Sequence, residues 1–139
     1  MNLLNRLVRR ASIPMFLLAV AGCATREPMR FAMVTGLNPE RAAYYRQLHA
    51  DPWPEVNQRL KESHIQNYSI YECELEGRLW LFSSFEYTGR NFDADMKTLA
   101  DDPVIQKWWK ETDPCQIPLP AAAKAGEIWT PVQEIYSLK

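Results

Sequence analysis

Tyr45 and His49 stand four residues apart, on one face of any helix that spans them. An imidazole has an unperturbed pKa of about 6.5, so it can both give and take a proton near neutrality. Taken alone, such a pair is more often packed or solvated than catalytic. Trp108 and Trp109 are neighbours. On a helix their side chains point about 100° apart, so one core cannot easily take both. Either one is buried while the other covers the helix edge, or at least one offers its face to the C–H surface of a pyranose. Tyr68, in Asn67-Tyr68-Ser69-Ile70-Tyr71, alternates with Ile70, and its phenol would pack or bind a hydroxyl. His64 closes a helical segment, where a cation suits the dipole, and reads as structural. Two histidines and three cysteines are too few for a multi-metal site, and five glycines scattered singly make no phosphate loop. A net charge of -1 provides no basic field for nucleic acid. Length and composition leave a small single domain without a nucleotide, metal or other cofactor.

The elements around these residues read as one α+β domain over 31–139. Hydrophobic residues are 47% and charged residues 24% of 139 residues, a balance suited to a folded chain. Phe31 to Thr35 reads as a strand stopped by Gly36 to Pro39. Asn38 as N-cap and Pro39 in the first position predict a helix through about His49. Pro52 and Pro54 break it, and Glu55 to Ser63 carries Val56 and Leu60 at helical spacing. Ile65 to Glu74 and Arg78 to Tyr87 are two β runs joined at Leu75-Glu76-Gly77, which predicts a hairpin. Helices follow over Phe92 to Leu99 and Pro103 to Thr112. A Pro-rich loop, Pro114 to Pro120, leads to a last strand near Val132 to Leu138. The order β-α-β-β-α-β is the ferredoxin-like split arrangement. Leu79-Trp80-Leu81-Phe82 is apolar on both faces of its strand, so the sheet face away from the helices needs a cover. A second copy of the chain is the expected one, giving a homodimer.

The N-terminal stretch reads as an address. Arg6, Arg9 and Arg10 precede the apolar run from Ala11 to Ala21, which is too short to span a bilayer as a helix. It ends in Val20-Ala21-Gly22-Cys23, which resembles a bacterial lipobox. Residues 1–22 are therefore expected to be a lipoprotein signal peptide, and 23–30 a tether beginning at a lipidated Cys23. Ala24 after the cysteine favours an exported, membrane-anchored protein on the periplasmic face of the outer membrane. An exported chain can form disulfides, and Cys73–Cys115 is the one intramolecular pairing left open beside a lipidated Cys23.

Three stretches occur in order: Tyr45-Arg46-Gln47-Leu48-His49-Ala50-Asp51-Pro52-Trp53-Pro54-Glu55, Ile65-Gln66-Asn67-Tyr68-Ser69-Ile70-Tyr71, and Asp102-Pro103-Val104-Ile105-Gln106-Lys107-Trp108-Trp109. Together they resemble the L-rhamnose mutarotase family. The resemblance implies a dimeric α+β barrel and interconversion of the anomers of L-rhamnose or a related 6-deoxyhexose by acid/base ring opening. Carried over by position, it implies His49 as the acid/base residue, assisted by Tyr45, with Tyr68, Trp108 and Trp109 binding the monosaccharide. After the tryptophans the family tends toward a Met-containing helix, where this chain has Lys110-Glu111-Thr112-Asp113-Pro114-Cys115. The rival expectation is a non-catalytic sugar-binding lipoprotein; a further one is a monooxygenase-like barrel of the same shape.

Overall fold

The computed structural model describes residues 26–138. The signal-peptide reading of 1–22 and the lipidation expected at Cys23 lie outside the described residues. Strand β1 (Met29–Leu37) is followed by α1 (Ala42–Ala50), α2 (Pro54–Glu62), β2 (Ile65–Leu75) and β3 (Arg78–Tyr87). Then come α3 (Phe92–Asp101), α4 (Pro103–Thr112), β4 (Gln116–Ile117), α5 (Pro120–Ala125) and β5 (Thr130–Val132). The sheet is antiparallel in the order β2-β3-β1-β4, with β5 also paired to β1. This is the split α+β arrangement, with its last strand in two pieces.

The hairpin between β2 and β3 is as tight as the sequence predicts. Glu76 and Gly77 both take positive φ, 52° and 72°, the conformation of a two-residue turn whose twist matches the strands. On β3, Leu81, Ser83, Phe85 and Tyr87 are buried toward the helices, while Trp80, Phe82, Ser84 and Glu86 face the other way. The β1–β3 register sets Phe31, Met33, Thr35 and Leu37 on the helix side beside them. One core cluster, with Val56, Ile65, Phe85, Leu99, Ile105 and Trp108, lies under α2, α3 and α4. A second, with Leu37, Ala42, Tyr45, Leu81 and Cys115, lies under α1.

Two expectations need correction. The first helix begins at Ala42, not at Pro39. Asn38 instead accepts from its neighbour Glu40 N through Oδ1 at 3.0 Å, and its carbonyl accepts from Arg41 N, so Asn38-Pro39 makes a turn before the helix. The final strand is Thr130–Val132 and does not run over 132–138. Pro118 and Pro120 interrupt the ladder after β4, α5 intervenes and ends on Gly126 at φ 77°, and pairing resumes only at Thr130. Beyond β5 the chain is tied to Arg30 by the side chains of Glu134 and Ser137. Cys73 and Cys115 are free thiols. Cys73 pairs with Trp80 on the outer sheet face, whereas Cys115 is fully buried beside Leu37 on the inner one, so the sheet separates them.

Candidate active site

Between the inner sheet face and the helices lies a cavity of about 540 Å³, within the range of small-ligand sites. Its wall includes Tyr45, His49, Tyr68, Trp108, Trp109 and Gln116, drawn from α1, β2, α4 and β4. A hollow of about 570 Å³ adjoins it and shares His49, Tyr68 and Trp108. Every catalytic or sugar-binding candidate named from the sequence therefore borders one space.

His49 sits in the last turn of α1, whose inner face is set by Ala42 and Tyr45 at helical spacing. Arg46, on the same helix, grips Glu72 of β2 through two hydrogen bonds, at 2.9 and 2.5 Å, which fixes the helix against the sheet edge. The His49 Nδ1 lies 2.9 Å from the Tyr45 carbonyl. A carbonyl only accepts, so Nδ1 carries the proton and donates, leaving Nε2 with its lone pair. Burial lowers the imidazole's pKa below the ordinary histidine value, against a smaller rise from that backbone hydrogen bond. The ring is thus neutral near pH 7. The Tyr45 ring lies over it at 4.2 Å, and the Trp108 indole meets it edge-on at 5.3 Å.

Tyr45 is buried, and its hydroxyl accepts from Gln116 Nε2 at 3.3 Å. Burial raises the phenol's pKa well above its usual value, more than that hydrogen bond lowers it. Tyr68 reaches the cavity through a bulge. Asn67 takes φ 51°, the register shifts between Gln66 and Ser69, and the Asn67 amide donates to Glu86 at 2.8 Å. Its ring meets Phe85 edge-on at 5.7 Å, and desolvation pushes the phenol up to about 12. Near neutrality neither phenol ionises, so both serve as hydroxyl donors and acceptors rather than as bases.

α4 starts at Asp102, which caps it by accepting from Val104 N and Ile105 N. From that start Trp108 is 7% exposed, edge-on to Trp53 at 5.3 Å, while Trp109 is 39% exposed. One indole is thus buried and the other half-exposed, and both border the cavity. His64 is not among the cavity's lining residues; it lies beyond the end of α2 at φ 62°, with its carbonyl accepting from Thr88 N. Sequence reasoning missed Gln116, Asp113 and Trp129, which also line the cavity. The one signal was the Lys110-to-Cys115 departure after the tryptophans. Among the described residues no cluster of three or more His, Cys, Asp or Glu is placed to hold a metal.

A family model described as L-rhamnose mutarotase matches residues 30–138. The L-rhamnose mutarotase of Brucella anthropi is 36% identical over 80 residues, 58% of this chain and 71% of that protein. That of Lactiplantibacillus plantarum is 27% identical over 110 residues, 79% of this chain and 98% of its own length. The crystal structure of an L-rhamnose mutarotase from Formosa agariphila superposes with a TM-score of 0.60 at 23% identity, covering 80% of this chain and 99% of that one, which shows the shared fold. These findings overturn the expected localisation on the periplasmic face of the outer membrane. The relatives are named L-rhamnose mutarotases, and the family match begins at residue 30, after the Cys23 motif on which that reading rested. No described helix is long and apolar enough to cross a membrane.

Proposed function

The chain belongs to the L-rhamnose mutarotase family, whose members are carbohydrate isomerases, and from that premise we propose how its own residues interconvert the α and β anomers of L-rhamnose or a related 6-deoxyhexose. The observation that carries the reading is the neutral His49, its Nδ1–H held by the Tyr45 carbonyl and its Nε2 left to meet a ligand in a cavity walled by tryptophans. Nε2 takes the proton of the anomeric hydroxyl as the C1–O5 bond breaks and the C1 carbonyl forms. The resulting imidazolium returns that proton to the ring oxygen. After rotation about C1–C2 the open aldehyde recloses on its other face by the reverse steps. One proton leaves O1 and one arrives at O5, so no electrons are exchanged with the protein and no nucleophile is attached.

Tyr45, kept neutral by burial, assists as a hydrogen-bond donor to a sugar oxygen beside the imidazole. Tyr68 meets a hydroxyl at the cavity mouth, and Trp108 and Trp109 receive the apolar ring face. The test is saturation-transfer NMR on L-rhamnose with parent and His49→Ala proteins. The variant loses about 10²- to 10⁴-fold in anomer exchange while keeping its sugar affinity. Exchange at the parental rate would remove His49 from the mechanism.

The assembly that fits this chain is a homodimer. The outer sheet face carries Val34, Tyr71, Trp80, Phe82, Ile117 and Val132, with Tyr71 61% exposed, and no described helix packs over it. A contiguous apolar face on a small domain marks an association surface, and a two-fold copy of the same face is self-complementary.

A further inference from the structure

Gln116 stands opposite Leu37 in the β1–β4 ladder, which turns its side chain toward the helices, and it is nine-tenths buried. Its Nε2 donates to the Tyr45 hydroxyl at 3.3 Å. Its Oε1 is buried with no hydrogen-bond partner among the described residues. Native chains rarely leave a buried amide oxygen unpaired, and one bordering a ligand cavity is a position prepared for a donor. Asp113, three residues earlier, borders the same space, and desolvation raises its carboxyl's pKa. The part of the cavity formed by the segment after α4 therefore offers acceptors, whereas Val56, Leu60, Ile65 and Phe85 offer it only apolar surface. The acid/base steps at His49 use none of these acceptors.

We propose that Gln116 is a specificity-determining residue, whose free amide oxygen accepts a hydrogen bond from one ring hydroxyl of the bound pyranose while its other end holds the Tyr45 phenol beside the imidazole. The inference rests on the mutarotase reading of the same cavity and deepens it. The ligand class it selects is a pyranose bearing that hydroxyl. A sugar with hydrogen at the same carbon leaves the amide oxygen buried and unpaired, and is rejected for that reason.

The experiment compares L-rhamnose with analogues that each lack one ring hydroxyl. Anomer exchange is followed by saturation-transfer NMR and affinity by calorimetry, for the full chain and for Gln116→Met and Gln116→Glu. The parent disfavours one analogue by about tenfold or more. In Gln116→Met, which fills the space without polar atoms, L-rhamnose and that analogue become equal to within about twofold. Gln116→Glu keeps an acceptor oxygen at the same place and keeps the discrimination. The proposal is overturned if the parent discriminates against no analogue, or if a Gln116→Met protein with parental melting behaviour discriminates as the parent does. Should Gln116→Met not fold, Gln116→Glu decides, because loss of discrimination there also overturns it. A parent that binds sugars without accelerating exchange sinks the mutarotase reading alone, and the affinities then judge Gln116. A parent that binds none of the sugars ends both.

Discussion

The Tyr45 carbonyl accepts from His49 Nδ1, so the helix backbone itself decides which nitrogen meets the substrate, and the surrounding indole and phenol rings decide the charge on it. With burial holding the imidazole below its ordinary pKa of about 6.5, the base form persists on mild acidification and is lost only when the pH falls through that lowered value. The kcat/KM for anomer exchange should therefore be flat above neutrality and decline on the acid side with an apparent pKa below about 6.5. An NMR exchange profile against pH checks this, and an acid limb centred above the free-histidine value would contradict it. The Tyr45/His49 pair was legible from sequence because four-residue spacing on a helix is a local fact. Gln116 was not, because nothing local announces that a residue two positions before a proline will dock on β1 and turn its amide toward a phenol 71 residues away in sequence.

At the scale of elements, two short features position the site. Asp102 caps α4 and also pairs with Arg59 of α2 at 2.9 Å, so one carboxylate sets both the start of the tryptophan helix and its neighbour. Asp102→Ala should lower stability by about 1 kcal/mol through loss of the cap, read from a urea transition with unchanged slope. Gly36 matters for a different reason. A Cβ there would lie 2.8 Å from the Ile117 carbonyl oxygen, so only glycine lets β4 approach β1 this closely. Gly36→Ala should cost about 1–3 kcal/mol and weaken sugar binding as well, because β4 carries Gln116. Thermal melting and calorimetry on that variant measure the two losses separately. The β2–β3 hairpin and α4 were readable, since turn residues, alternation and an Asp-Pro start are written within each segment. The broken last strand and α5 were not. Their placement depends on which edge of β1 remains unpaired, and Pro131 is tolerated because β5 is an edge strand.

For the whole molecule, a sheet with helices on one side leaves a second face to account for. The double-faced Leu79-Trp80-Leu81-Phe82 pattern anticipated that face: Leu81 is 1% exposed inside, while Phe82 is 37% exposed outside. If the proposed homodimer forms through this face, Phe82→Glu combined with Tyr71→Glu should shift it toward monomer in light scattering, because the substitutions put charges on its apolar surface. A parent that is monomeric at every concentration would dispose of the assembly. The alternation along β3 also binds two fates to one register. Its odd-numbered positions face the helices, with Phe85 bordering the cavity, and its even-numbered ones present the outer face, so sliding the hairpin by a single residue would swap these sets wholesale. A change at Glu76-Gly77, remote from the cavity, is therefore able to silence turnover and undo the proposed homodimer in one stroke.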